Sequence, residues 1–337
     1  MKMARWIALS ALLFISATPV SAQEYLYDNG VFVGMGAKAS IYDRDRTIHY
    51  GFPTFCGPTP FCVPQRKGFS GTDINDVTGS PTLTLGYKLS DDDAISLKGD
   101  WARYSVSRNV TAPDSTGFIT VAVDGANGVF IPPGNGPTNV SIDWDSDVFN
   151  TALEYQRRLV TIDLARIFGL VGFKFRYEKQ NFDAKAVNAT LVPSIIADSY
   201  HETLKEFLFG PYAGMKLSYK PDKQSRWNFS TGGNIGWYFK NASFDGRDRF
   251  FNGQHFSQHD YSKKGTLFAG AEVNVIYAIN RNWFVDVGYE FNWIQAAAHI
   301  WNTAKTPADV SATTPSRIVR SQVLTHSPGV KVVYKFD

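Results

Sequence analysis

Apolar and polar positions alternate with a period of two along most of this chain. In the first such stretch Val31, Val33, Met35, Ala37, Ala39 and Ile41 take one phase, and Phe32, Gly34, Gly36, Lys38 and Ser40 take the other. Leu83, Leu85, Tyr87 and Leu89 repeat the scheme, as do Ile95, Leu97, Gly99 and Trp101. So do Phe149, Leu153 and Tyr155, then Val171, Phe173, Phe175 and Tyr177. It recurs over 205–219, 226–240, 265–279, 282–295 and 320–336. Successive side chains of an extended strand point to opposite faces, so each stretch predicts a strand with one apolar face. No sustained 3.6-residue period predicts a helix, and the count of strands is ten.

The connections alternate too. Short ones fall at Ser90–Asp93, about Leu159–Leu164, at Lys220–Ser225 and at Ile279–Arg281, and long ones over 43–77, 106–145, 181–204, 243–262 and 298–317. An even strand number with tight turns on one side and long loops on the other is the pattern of a transmembrane barrel. The expected fold is all-β: a closed antiparallel transmembrane β-barrel of about ten strands, within a range of eight to twelve. Both termini then lie on the short-turn side. Trp227 and Trp237 are ten residues apart on one strand face, as are Trp283 and Trp293. Ten residues of tilted strand climb roughly 25 Å, the height of an apolar band between aromatic girdles. These four residues and Trp101 are therefore expected at the lipid interfaces.

Parity then assigns the other face to the lumen. It carries Lys38, Lys88, Lys98, Lys174, Arg176, Lys216, Lys331 and Lys335 against Asp100, Glu154, Glu178, Glu272, Asp286 and Glu290. Eight bases against six acids is not a ring of one sign, which would select ions. It predicts a network of ion pairs across the lumen, because an unpaired buried charge is costly. Lys174, Arg176 and Glu178 are expected to pair with neighbouring strands, through Glu154 and Lys216 first. Ten strands enclose little more than the side-chain-filled eight-strand case, so a wide channel is not required.

Before the first strand, Lys2 and Arg5 precede the apolar run Trp6–Ile15, and Val20-Ser21-Ala22 follows Pro19. This has the form of a secretory signal peptide over residues 1–22, with cleavage before Gln23, followed by one barrel domain over 23–337. Of 34 Lys+Arg and 31 Asp+Glu, the leader holds two bases and no acid, which leaves 32 against 31. That balance gives no footprint for nucleic acid. Aromatic residues make up 15% of the 337 positions, which suits interfacial girdles. The two cysteines, Cys56 and Cys62, flank a Gly- and Pro-containing turn, and export to an oxidising compartment predicts a local disulfide at a loop tip.

Two blocks carry a resemblance. Phe207-Leu208-Phe209-Gly210-Pro211-Tyr212-Ala213-Gly214-Met215-Lys216-Leu217 is followed by Phe229-Ser230-Thr231-Gly232-Gly233-Asn234-Ile235-Gly236, and Leu153-Glu154-Tyr155 leads to Gly172-Phe173-Lys174-Phe175-Arg176-Tyr177. In these the chain resembles Gram-negative outer-membrane barrels, and more narrowly the Legionella-type major outer-membrane, pore-forming proteins. The resemblance implies insertion by the barrel-assembly machinery and contact with outer-membrane lipid and lipopolysaccharide. It differs in ending on Asp337 after Tyr334 and Phe336 rather than on an aromatic residue. The expected function is a narrow or gated pore for small solutes or ions. The alternatives are a non-conducting scaffold whose loops bind a surface ligand, and an omptin-like rim protease using Asp143 and Asp145 opposite His255, His259 and Asp260. The acid-x-His spacing of omptins is absent, since His259 and Asp260 are adjacent, so no enzyme is expected. Arg247, Asp248, Arg249, Phe250, Phe251, Lys263 and Lys264 make the fourth long loop basic and aromatic, suited to lipopolysaccharide phosphates. No metal-ligand spacing, phosphate loop or nucleophile elbow occurs, so neither cofactor nor metal is expected. The sequence leaves the solute and the oligomeric state open.

Overall fold

A computed structural model describes residues 30–44, 48–49, 52–56, 62–64, 68–69, 77–90, 92–112, 117–120, 138–188, 196–222, 224–249, 255–299 and 318–336. The expected leader over 1–22, and Phe250 and Phe251, lie outside them. In chain order the strands are β1 (Gly30–Arg44), β2 (Ile48–His49), β3 (Phe52–Cys56), β4 (Cys62–Pro64), β5 (Gly68–Phe69), β6 (Thr78–Lys88), β7 (Asp93–Ala112), β8 (Gly117–Thr120), β9 (Thr138–Ile162) and β10 (Ala165–Asn188). They continue with β11 (Ile196–Tyr219), β12 (Trp227–Arg249), β13 (His255–Ala278), β14 (Trp283–His299) and β15 (Val319–Lys335). Ten of them close a barrel in the order β1-β15-β14-β13-β12-β11-β10-β9-β7-β6, with β6 returning to β1 and every pair antiparallel. Each of the ten sequence stretches falls on one barrel strand. Two small sheets, β2-β5 and β4-β3-β8, lie on the long-loop side, and the second joins the β1–β6 connection to the β7–β9 connection.

The outer wall is apolar over a belt. Met35, Val171, Phe173, Met215, Ile235 and Val287 are all more than half exposed on it. Such a belt would be an aggregation surface in water, and its natural solvent is hydrocarbon. Ladder hydrogen bonds closed around the ring leave no strand edge at that depth.

The strands are much longer than a membrane requires. Strands β9 to β13 run 23 to 25 residues, where about ten suffice. At about 3.3 Å per residue and a 40° tilt such a strand rises roughly 60 Å, so more than half of it stands outside the apolar band. This corrects the expected loops over 181–204 and 243–262, most of which are strand. The reason is a reversal of phase. Within the belt the apolar residues point out, as Phe173 and Phe209 do. Beyond it Phe182, Leu204 and Phe244 point in and are buried, while Asp183, Thr203 and Asp245 point out. Water has replaced lipid outside, so the dry face has moved inside.

Candidate functional site

The lumen is layered. At the short-turn end Ile276, Ala278, Phe284 and Val333 form a buried apolar cluster, against which Phe32 packs. Above it lies a cavity of about 190 Å³ whose lining includes Lys38, Lys98, Asp100, Lys174, Glu272 and Glu290. Its charges are held as pairs. Lys38 bridges Asp100 at 3.1 Å and Glu290 at 2.9 Å; Lys98 meets Glu154 at 3.1 Å, Lys216 meets Glu272 at 3.0 Å, and Lys331 meets Asp286 at 2.7 Å. Glu154 and Lys216 thus have partners other than those expected from sequence. Lys174 instead donates to Asn234 Oδ1 at 2.8 Å, with its Nζ 5.2 Å and 5.1 Å from the ring centres of Tyr212 and Phe268. Glycines make room for these rings. A Cβ on Gly172 would stand 2.8 Å from the Tyr212 ring, and one on Gly236 2.4 Å from Phe268.

Arg176 lines the loop-side end of this cavity and pairs with Glu178, just beyond it, at 2.9 Å along one strand. Glu178 also accepts from Tyr42 Oη at 3.0 Å, Ser146 Oγ at 2.9 Å and Gln180 Nε2 at 2.8 Å. In register it lies opposite a second acid, Glu206, which pairs with Lys240 at 2.9 Å with both side chains 1% exposed.

That second pair holds a part of the chain that has left the wall. The β13–β14 ladder ends at Phe268 and Ile294, and the β14–β15 register shifts between Ile294 and Ala297. Beyond this point the loop-side end of β14, paired with β15, turns into the lumen, where Ala297 and Ala298 are wholly buried. The backbone groups of Ala296 and Ala298 are satisfied by side chains of other strands. Ala298 N–H donates to Glu206 Oε1 at 2.7 Å and its carbonyl accepts from Gln180 Nε2 at 3.1 Å. The Ala296 carbonyl accepts from Lys240 Nζ at 2.9 Å, and its N–H donates to Thr266 Oγ1 at 3.0 Å. Tyr42, Trp144, Phe182, Leu204, Leu208 and Phe244 belong with Ala297 and Ala298 to one continuous apolar core. The loop-side lumen is therefore filled with apolar side chains. Glu206, Lys240, Gln180 and Thr266 were not among the sequence candidates. The signal that could have found the hairpin is Ala296-Ala297-Ala298, a run of small residues that interrupts alternation in β14.

Trp101, Trp227, Trp237 and Trp283 stand nearly half exposed on the outer wall. Trp227 packs on Tyr277 and Trp283 on Tyr334 at the short-turn end. Trp293 is half-buried and donates its indole N–H to Gln322 at 3.2 Å. Asp143 and Asp145 lie on the outer wall, with Trp144 between them buried inside. His259 lies four strands away in register, through Asn181, Thr203 and Asp245. Four strand spacings are about 19 Å, too far for one water to be shared. Asp248, Arg249 and His255 are strand residues rather than loop residues. Cys56 and Cys62 are opposite each other in the β3–β4 register.

A closed ten-strand ring with an apolar outer belt, aromatic rims and a charged interior has the fold of an outer-membrane β-barrel. No family model matches the chain, and no curated protein matches it. Among solved structures, the outer-membrane protease OmpT from Escherichia coli aligns over 96% of this chain and 99% of its own, with a TM-score of 0.51 and 11% identity. The translocator domain of the autotransporter NalP from Neisseria meningitidis aligns over 99% and 97%, with a TM-score of 0.40 and 11% identity. At 11% identity the likeness to OmpT is one of fold.

Proposed function

We propose that the protein is a porin-like barrel of the Gram-negative outer membrane that forms a narrow conduit held shut at rest. It is exported by its leader over 1–22 and inserted by the barrel-assembly machinery. The kinship with Legionella-type major outer-membrane proteins rests on the sequence blocks in β9 to β12. The observation that carries the reading is the loop-side end of β14, whose backbone at Ala296 and Ala298 is held inside the lumen by Glu206, Gln180, Lys240 and Thr266 instead of by a β13 ladder. A segment held by four side chains can be released, whereas a wall strand cannot leave without opening the ring. Beneath it, the charged cavity offers small ions polar partners of both signs.

Planar-bilayer recording tests this. The unaltered protein should pass at most brief, small currents, and Lys240→Met with Glu206→Leu should pass them more often. Large steady currents from the unaltered protein would remove the shutter. Silence from both the latch variant and one lacking residues 295–322 would favour the second reading, a scaffold without conduction. The specific support for that reading is the wall standing well beyond the membrane, which would carry its connections as a binding surface.

The cysteine pair is a separate proposal. Directly opposed strand residues have Cβ atoms about 4.5–5.5 Å apart, within small adjustment of the ~3.8 Å of a disulfide. Mass spectrometry of unreduced protein should find Cys56 and Cys62 joined, and replacement of both by Ser should leave the heat-modifiable barrel intact. Free thiols in membrane-derived protein would disprove the bond.

A further inference from the structure

The charges around the lumen cavity are equal in number but unevenly shared. Four of the cations each hold one acid. That leaves Lys38 and Lys174 with Asp100 and Glu290. Lys38 bridges both acids, while Lys174 has no carboxylate partner among the described residues. Lys174 spends one N–H on Asn234 Oδ1 at 2.8 Å, and an ammonium has two more to give. Glu290 uses one oxygen on Lys38, and its side chain stays 43% exposed along the cavity, against 10% for Lys38. Asp100 is more closed, because its second oxygen accepts from Asn150 Nδ2 at 3.0 Å. The cavity thus holds one cation with donors to spare and one acid with an acceptor to spare.

These two groups stand on opposite sides of one recess. Asn234 on β12, Gly270 on β13 and Asn292 on β14 are neighbours in register, and all three line the cavity. Gly270 leaves open the space between the two carboxamides. A Cβ there would stand 3.0 Å from Asn292 Oδ1 and 3.1 Å from Asn234 Nδ2. Lys174 is anchored on the Asn234 side. Glu290 is the lumen residue before Asn292 on β14, roughly 7 Å along the strand. The cavity's volume of about 190 Å³ is that of about six waters, which is room for an amino acid with a small side chain.

We propose that this recess seats a small zwitterion of the α-amino acid kind, the substrate class of the conduit. The inference rests on the conduit reading and names what passes. The carboxylate accepts from Lys174 Nζ and Asn234 Nδ2. The ammonium donates to Glu290 and to the Asn292 amide oxygen, with the carbon that joins the two groups over Gly270. A simple anion would satisfy Lys174 but leave an unmatched negative charge in the lumen, and a simple cation would do the reverse. A zwitterion supplies both partners and leaves the balance unchanged.

The test is equilibrium binding of labelled alanine, propionate and ethylamine to the folded protein in phosphatidylcholine nanodiscs. The Lys240→Met, Glu206→Leu variant, in which the inward segment is released, is measured beside it. Propionate lacks the ammonium, and ethylamine lacks the carboxylate. Alanine should bind about tenfold or more tightly than either, the worth of one hydrogen bond to a charged group. Lys174→Gln should move the preference to ethylamine, because Glu290 is then unmatched, and Glu290→Gln should move it to propionate. Gly270→Ala fills the recess without removing an ion pair, and it should weaken alanine binding. Equal binding of the three ligands, no alanine bound to either form, or full alanine binding by Gly270→Ala would overturn the seat. Loss of all three ligands in both charge variants, with no exchange of preference, would overturn the roles of Lys174 and Glu290. Alanine binding in a barrel that passes no current would keep the seat and remove the conduit, whereas currents without alanine binding would remove the seat alone.

Discussion

Replacing Lys240 with Met will cost the folded barrel about 3–5 kcal/mol, the loss that follows when one partner of a buried ion pair is removed. Lys240 and Glu206 are each 1% exposed and 2.9 Å apart. Without the ammonium, Glu206 would either hold an uncompensated charge facing Glu178, the acid opposite it in register, or be driven to take up a proton. Its second oxygen has no hydrogen-bond partner, and the Ala296 carbonyl would lose its donor. Urea titration of the folded protein in vesicles measures the loss. Lys185→Met, on the exposed wall, should change stability by less than about 0.5 kcal/mol. Equal effects of the two substitutions would show that the latch contributes nothing.

The second large effect concerns the lipid belt. Phe173 is 62% exposed on the outer face of β10, and Asp183 lies ten residues further on the same face. Arg at the first position should cost about 2–4 kcal/mol, as a cation near the bilayer midplane does. Arg at the second loses the 2.8 Å contact of Asp183 with His201, an exposed pair worth about 1 kcal/mol or less. The folded fraction recovered in vesicles should therefore fall for Phe173→Arg and hardly change for Asp183→Arg. Similar yields for both would mean that the belt does not face lipid at that depth.

The membrane half of this fold is legible in the sequence because one rule holds there. In β10, Phe173, Phe175 and Tyr177 face lipid while Lys174, Arg176 and Glu178 face the lumen, and parity alone separates them. The rule inverts past Tyr177. Phe182 is then an inside residue, and Asp183 an outside one, so a reading keyed to one apolar phase ends the strand too early. Partners within the lumen are legible in kind but not in identity. Lys98 and Glu154 sit on adjacent strands, but Lys38 reaches Asp100 and Glu290 on strands either side of its own neighbours, a choice made by side-chain length and barrel curvature. The inward hairpin was hidden because β14 carries correct alternation up to Ile294, and its departure is written only in three alanines. Glu206 and Lys240 stand at the loop-side ends of the expected strands 205–219 and 226–240, beyond the apolar alternation that singled out the other lumen charges.

The ring closes where β1 meets β15, and that seam has a kinetic meaning. Phe32 pairs with Lys335 and Arg44 with Val323, so the two edges that join are separated by nearly the whole chain. Closing a loop of some 300 residues costs roughly 5 kcal/mol of chain entropy by logarithmic scaling. No hydrogen bond of that ladder can form before residues 319–335 have been made. Until then β1 and the newest strand are both open edges of a growing sheet, each a template for any other unpaired strand. The last 17 residues to be ordered therefore do more than add a tenth stave: they end the interval in which the chain can pair with the wrong partner.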